Sequence, residues 1–179
     1  MRAAVVGTGF IGLVHVEALR RLGVEVAGVV GSSPERARQK PGLPEPYESY
    51  EALLADESVD VVHITTPNHL HHPQAKAALA AGKHVVCEKP LALTSQETAE
   101  LVRLAEDSGR VHCTNYNIRF YGQCHAARDR VSRGEVGRVF NVLLGGQGRM
   151  HVGNGEIVEF VVGPGAGMPA LQVRRPNAA

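Results

Sequence analysis

The stretch from Arg2 to Leu22 restricts the possible folds of this chain more than any other part of the sequence. An apolar run that ends at Val6 predicts a buried strand, and the apolar residues that follow recur at helical spacing. Between them lies a G-x-G-x-x-G pattern, whose glycines permit a tight turn, the approach of a pyrophosphate and close packing of helix on strand. A plain strand-to-helix turn is the alternative, but the context favours a dinucleotide-binding turn. Its contacts are predicted to come from Gly7, Thr8, Gly9, Phe10, Ile11 and Gly12.

Composition limits the classes of partner. The 179 residues suffice for one full domain and part of another, and a net charge of +1 indicates neither a nucleic-acid nor a membrane surface. The three cysteines, Cys87, Cys113 and Cys124, are odd in number and lack C-x-x-C spacing, which argues against a disulfide framework or a metal site. Neither a signal peptide nor an apolar run of membrane-spanning length is recognised, so we expect a cytoplasmic protein.

Strands and helices alternate along the first part of the chain. Further strands are predicted at Val24–Val30, Val59–Thr65, His84–Cys87 and Val111–Tyr116. Helices are predicted after Ser33 as N-cap, at Tyr50–Leu54, from Pro73 to Gly82, and after a capping box of Thr94 and Glu97. This alternation predicts an α/β fold with a doubly wound parallel (Rossmann) sheet in the strand order 3-2-1-4-5. The residues after the fourth strand would then lie beside the glycine turn.

The pattern changes in the last third of the chain. Residues 1–120 are predicted to form the dinucleotide-binding Rossmann domain, and residues 121–144 to begin a second α+β domain with a helix at Gln123–Arg133 and a strand at Gly137–Leu144. Residues 145–179 are a glycine-rich tail whose only patterned segment is a strand at Ile157–Val162. Only a remnant of the second domain is therefore expected.

The residues after the second strand bear on the choice of cofactor. Domains that bind NAD place an acidic residue there, whereas this chain has Gly31, Ser32 and Ser33, with Arg36 one turn later. Hydroxyls and a guanidinium suit a 2′-phosphate, so NADP is favoured, with NAD as the alternative if Arg36 is merely an exposed residue of a capped helix.

The chemistry is predicted to lie after the third and fourth strands. Lys89 is the candidate catalytic residue, because a lysine near a nicotinamide can bind and polarise a substrate oxygen. The segment after the third strand is predicted to line the cofactor cleft, and its three nearby imidazoles are not interpreted as a metal site. His15 and His63 are interpreted as structural. The remaining predicted cofactor contacts are Thr66, Pro67, Asn68, His71, Glu88, Lys89 and Asn117.

Four separated motifs together resemble the Gfo/Idh/MocA oxidoreductase family. They are Gly7–Gly12, Thr66–His71, Glu88–Ala92 and Tyr116–Phe120. The resemblance implies an NAD(P)-dependent enzyme that oxidises or reduces hydroxyls of sugars, cyclitols and related polyols. It also implies that Lys89 acts at the substrate hydroxyl and that Asn68 lies near the cofactor.

Two departures from the family bear on function. The family's Asp-x-x-x-His motif, whose histidine acts as acid/base, is absent from the sequence, and the resemblance ends near residue 143. We therefore hypothesise a truncated or frame-shifted relative with impaired catalysis. A non-catalytic dinucleotide-binding fragment or regulatory module is the alternative, and a methyltransferase with the same glycine turn is a weaker one. If apolar elements after Tyr121 are left uncovered, self-association is also expected.

Overall fold

The computed structural model describes residues 1–135 and four later strands, at residues 139–143, 148–152, 157–160 and 172–174. The chain forms two compact units, Met1–Tyr116 and Asn117–Ala179. Among the helices so described, none has both the length and the apolar composition that crossing a bilayer requires.

The first unit is a five-stranded parallel sheet with helices between its strands. The strands are β1 (Arg2–Val6), β2 (Glu25–Val30), β3 (Val61–Ile64), β4 (His84–Glu88) and β5 (His112–Asn115). The helices are α1 (Phe10–Arg21), α2 (Pro34–Arg38), α3 (Tyr50–Ala55), α4 (His71–Ala80) and α5 (Ser95–Ser108), and a 3-10 turn at Asn68–Leu70 precedes α4. The predicted doubly wound α/β class is confirmed.

The predicted strand order is wrong for one strand, β3. The observed order is β2-β1-β3-β4-β5, so β3 rather than β4 lies beside β1. The outer edge of β2 is instead covered by a single parallel bridge between Val29 and Pro46, supported by the Tyr47 N–H donating to the Val29 carbonyl at 2.8 Å. The proline-rich stretch thus takes the place that the prediction gave to the third strand. Consequently β3, and not β4, follows the reversal of winding and ends beside the glycine turn.

The inner strands β1, β3 and β4 of the sheet are packed on both faces. Ala4 and Val6 of β1 belong to an apolar cluster that includes Leu53, Ile64 and Leu101. Their neighbours Ala3 and Val5 belong to a second cluster, built with residues of α1 and β2. Burial on two faces explains why the strands are continuous apolar runs instead of alternating patterns.

Two of the helix starts have the caps that the sequence predicts, and a third helix starts earlier than predicted. Ser33 caps α2, and Thr94 with Glu97 forms the predicted capping box of α5. The alanine-rich helix α4 begins at His71 and not at Pro73, because proline is accepted within a first helical turn, where its missing N–H has no partner to lose.

The second unit contains a helix and an antiparallel sheet. Helix α6 (Gly122–Ser132) corresponds to the predicted helix. The strands β6 (Val139–Leu143), β7 (Gly148–Val152), β8 (Ile157–Phe160) and β9 (Gln172–Arg174) pair in that order. Strands β6 and β8 fall on predicted strands, whereas β7 and β9 fall where the glycine-rich pattern predicted none.

Candidate functional site

The glycine turn between β1 and α1 has the geometry that its motif predicts. Gly7 adopts a φ of +108°, a conformation that other residues rarely take. A Cβ added at Gly12 would collide with the carbonyl oxygen of Gly7. Glycine at both positions therefore lets α1 start directly against the end of β1.

The first turn of α1 leaves its backbone N–H groups available. Its N-cap, Gly9, supplies no capping side chain, and the first turn has no acidic residue. A Cβ at Gly9 would meet nothing within 4 Å, so the space over this position is open. By contrast, α2, α3 and α5 each have a capping hydroxyl and a first-turn glutamate. An open helix start, whose first N–H groups have no partner among the residues that the structure describes, fits the pyrophosphate of a dinucleotide.

Thr65, which the sequence analysis did not single out, holds the glycine turn from the side of β3. Its hydroxyl lies 3.0 Å from the Val6 carbonyl oxygen and 3.1 Å from that of Gly7, close enough to donate to either. Its backbone N–H also donates to Val6 at 2.7 Å. The sequence signal for Thr65 would have been its place directly after β3, had the strand order been predicted correctly.

The end of β2 brings cationic groups to the glycine turn. A Cβ at Gly31 would lie 2.9 Å from Thr8 Oγ1, so the chain leaves little room there for an acidic side chain. Lys40, also missed by the sequence analysis, donates from Nζ to the Thr8 carbonyl. Arg36 is exposed and has no ion pair within the described part of the chain, whereas Arg38 pairs with glutamates.

The two predicted serine contacts at this edge differ in surroundings. Ser32 is exposed, and Ser33 accepts the Arg36 N–H at 3.3 Å as the α2 N-cap. A hydroxyl that accepts one hydrogen bond keeps its own proton, so Ser33 can still donate to an anion.

The segment after β3 divides into an exposed and a buried part. Pro67 and Asn68 are exposed, as a cleft wall requires, while Thr66 donates from its hydroxyl to Gln74 Oε1 at 2.6 Å. His71 differs from its prediction as a wall residue, because it is only 1% exposed. Its ring nitrogens lie 2.6 Å from the Pro90 carbonyl oxygen and 2.8 Å from that of Thr66. It therefore links the loops after β3 and β4 from beneath.

The end of β4 places Lys89 and Glu88 in different surroundings. Lys89 is exposed, and its amino group makes no hydrogen bond to any residue that the structure describes. The Glu88 side chain is 15% exposed, and its Oε1 accepts from Asn115 Nδ2 at 2.6 Å and lies 3.1 Å from His15 Nε2. Burial would raise the pKa of Glu88, but the hydrogen bonds from Asn115 and His15 outweigh it and lower that pKa.

The two histidines interpreted as structural are in contact with each other. His15 Nδ1 and His63 Nδ1 lie 3.0 Å apart, and the two rings meet edge to face. Burial, with His15 nearby, lowers the pKa of His63 to about 4, so this ring is neutral at pH 7. Asn117 lies in the second unit, in a 3-10 turn at Asn117–Phe120, and its cofactor contact stays a prediction.

The first unit thus brings together, at one edge of its sheet, groups of the kind that can contact a dinucleotide. Open backbone donors lie at the start of α1, cations lie after β2, and an exposed ammonium follows β4. This edge is formed by the carboxyl ends of the parallel strands, where doubly wound domains bind their ligands.

Comparison with known proteins agrees with this arrangement. The chain is 39% identical over 126 residues to 1,5-anhydro-D-fructose reductase of Ensifer adhaerens, covering 69% of this chain and 38% of the relative. It is 37% identical over 146 residues to D-xylose 1-dehydrogenase (NADP(+)) 2 of Haloferax volcanii, covering 79% and 45%. The chain thus spans less than half the length of these curated relatives.

Solved structures and a family-level match extend the comparison. The structure of biliverdin reductase with biliverdin and NADP+ from Synechocystis matches with a TM-score of 0.69 and 34% identity, over 79% of this chain and 45% of that one. An NAD-binding oxidoreductase from Klebsiella pneumoniae matches with a TM-score of 0.70 and 32% identity, over 79% and 41%. The family description "Oxidoreductase family, NAD-binding Rossmann fold" (GFO_IDH_MocA) matches residues 1–116. The chain therefore belongs to the Gfo/Idh/MocA family of oxidoreductases.

Proposed function

We propose that this chain forms the nucleotide-binding part of an oxidoreductase that uses NADP(H) and acts on a hydroxyl or carbonyl carbon of a sugar or related polyol. The observation that carries the proposal is the open start of α1, where Gly9 leaves space and the first-turn N–H groups have no acidic or capping side chain. The names of two relatives, a reductase of an anhydrosugar and a dehydrogenase of D-xylose, support the substrate class.

A preference for NADP(H) is supported by the residues around the end of β2. A 2′-phosphate needs positive charge and hydrogen-bond donors, and Arg36, Lys40 and the Ser32 and Ser33 hydroxyls can supply them. The close approach of Gly31 to Thr8 disfavours the acidic residue that would accept ribose hydroxyls of NAD.

Cofactor titration tests this preference. Isothermal titration of the full chain with NADPH and NADH is expected to give tighter binding of NADPH. Arg36→Gln should weaken NADPH by about tenfold, the loss expected of one charge-assisted contact, and leave NADH unchanged. Arg38→Gln is the matched control, since Arg38 lies on the same helix as Arg36 but is paired with Glu45 and Glu48. Equal binding of both cofactors by the wild-type chain would contradict the preference.

Lys89 is proposed to act on the substrate oxygen. The nicotinamide ring supplies or accepts the hydride when the cofactor is bound. The Lys89 ammonium, exposed and free of hydrogen bonds within the described residues, can donate to a substrate hydroxyl or carbonyl oxygen. Such a contact orients the carbon that reacts and stabilises negative charge on the oxygen as the carbonyl is reduced. Thr66, Pro67 and Asn68 are proposed to form the opposite side of the cleft.

Substitution of Lys89 separates catalysis from cofactor binding. Lys89→Met should lower NADPH-dependent reduction of a panel of ketoses and polyol-derived ketones by about 10²- to 10⁴-fold while NADPH affinity changes little. Lys76→Met, on the exposed side of α4, is the control. NADPH binding without turnover in the wild-type chain would instead favour the non-catalytic dinucleotide-binding module.

A further inference from the structure

A cluster of four polar side chains lies beneath the proposed reactive edge, and the mechanism above does not use it. His15, His63, Glu88 and Asn115 come from α1, β3, β4 and β5 respectively. His15 is 8% exposed, and it lies 3.1 Å from Glu88 and 3.0 Å from His63. Asn115, a hundred residues after His15 along the chain, donates from Nδ2 to the same Glu88 oxygen at 2.6 Å. Burying polar groups costs free energy unless they hydrogen-bond to one another. The four side chains meet this condition through their mutual contacts, so we interpret them as one hydrogen-bonded unit.

The hydrogen-bond roles within the cluster follow from the carboxylate. Glu88 is a carboxylate and can only accept, so His15 Nε2 carries a proton and donates to Oε1. His63 is neutral, because burial and His15 lower its pKa. The two facing Nδ1 atoms of His15 and His63 lie within hydrogen-bond distance, so one of them donates to the other.

The cluster connects the two ends of the proposed cofactor site. His15 lies three residues after Gly12, on the helix whose first turn is open to phosphate. Glu88 precedes Lys89, and its Oε2 accepts the Lys89 backbone N–H at 3.3 Å. The contact between His15 and Glu88 therefore ties the phosphate-binding helix to the backbone that carries the candidate catalytic lysine.

We infer that His15 is a positioning residue, which through Glu88 fixes the end of β4 at the nicotinamide side of the site. This inference rests on the proposed function, and it assigns Glu88 to orienting the backbone of Lys89 in place of the predicted direct cofactor contact. Loss of the His15 to Glu88 hydrogen bond should disturb the nicotinamide end of the site and spare the adenosine end. A merely structural role of His15 would affect both ends alike.

Two variants of His15 separate these roles. Gln places its amide nitrogen near the position of Nε2 and can still donate to Glu88, whereas Asn reaches only the position of Nδ1, toward His63. Each is titrated in the full chain with NADPH and with adenosine 2′,5′-bisphosphate, which lacks the nicotinamide half. We expect His15→Asn to weaken NADPH by about tenfold and the bisphosphate by less than about twofold, with His15→Gln close to wild type for both.

Several outcomes overturn the inference. Equal weakening of both ligands by His15→Asn, no weakening of either, or a loss in His15→Gln as large as in His15→Asn would each contradict it. If His15→Asn does not fold, Asn115→Leu removes another donor to Glu88 and is expected to weaken NADPH selectively. Failure of the proposed cofactor site looks different, because the wild-type chain would then bind neither ligand.

Discussion

Thr65 stabilises the glycine turn through its hydroxyl, and this role is testable by one methyl-for-hydroxyl exchange. Thr65→Val keeps the shape but leaves the Val6 and Gly7 carbonyls without the side-chain donor. We expect the free energy of unfolding to fall by about 1 kcal/mol, the usual net value of one hydrogen bond. Urea denaturation measures it, and Thr65→Ser, which keeps the hydroxyl, should lose less. Equal stability of the valine variant and wild type would refute this role.

Lys83 is a buried ammonium with a structural role. It is 6% exposed and donates to the carbonyls of Asp56 at 2.7 Å and Val59 at 2.9 Å. Lys83→Met would leave both carbonyls without this donor, and we expect a loss of about 1 to 3 kcal/mol in the free energy of unfolding. Lys76→Met is the control, since its half-exposed ion pair with Glu100 should contribute less than about 1 kcal/mol. Similar losses in the two variants would argue against this account.

Residues differ in how readily the sequence reveals their role. The role of Gly7 follows from its own conformation and its neighbours in the motif, so it could be predicted. Lys40 and His15 act through partners that lie far away in sequence, at Thr8 and Glu88. Such pairs are defined only by the packing of helices against the sheet, which a single sequence does not encode locally.

At the level of elements, the type of each strand in the first unit was predictable and the position of β3 in the sheet was not. A buried parallel strand has the same apolar pattern wherever it lies in the sheet. The predicted strand order depended on which segment pairs with the outer edge of β2. The segment around Pro46 does so through a single bridge to Val29, and one bridge produces no periodic pattern in the sequence. Right-handed crossovers are compatible with either order, so handedness alone could not decide it.

The capping box at the start of α5 is expected to contribute measurably to the free energy of unfolding. Thr94 Oγ1 accepts the Glu97 N–H at 3.2 Å, and the Glu97 carboxylate accepts the Thr94 N–H at 3.0 Å. Thr94→Ala should lower the free energy of unfolding by about 0.5 to 2 kcal/mol, because the first turn loses its acceptor. Ser95→Ala, one residue on and exposed, is the control. Thermal unfolding that distinguishes neither variant from wild type would contradict the prediction.

At the scale of the whole molecule, the two units differ in how well the sequence predicts their strands and helices. The first unit was predicted almost completely and the second only in part. The family match covers residues 1–116, where motifs and periodicity agree. In the second unit β7 lies in glycine-rich sequence and β9 lies beyond the last glycine, and their antiparallel partners, not their own composition, make them strands. The prediction of self-association through elements after Tyr121 belongs to this scale and is checked by light scattering over a range of concentrations.

The pH dependence of stability of the whole chain should depend on His63. Its pKa is lowered from 6.5 to about 4 by burial and by His15, so the unfolded chain takes up a proton at a higher pH than the folded one. Protonation therefore favours unfolding, and stability is lost as pH falls from about 6.5 toward 4. Between pH 7 and 4.5 this residue alone should remove about 2 to 3 kcal/mol.

Urea denaturation of wild type and His63→Gln at these two pH values tests this assignment. Gln does not titrate, so the variant should lose less stability over the interval. His112→Gln is the comparison, because burial lowers the pKa of His112 in the same direction. Asp56, with a pKa lowered to about 2 by the hydrogen bonds of Ser58 and Tyr47, loses its contribution only at lower pH. An unchanged pH dependence in His63→Gln would show that other groups carry the effect.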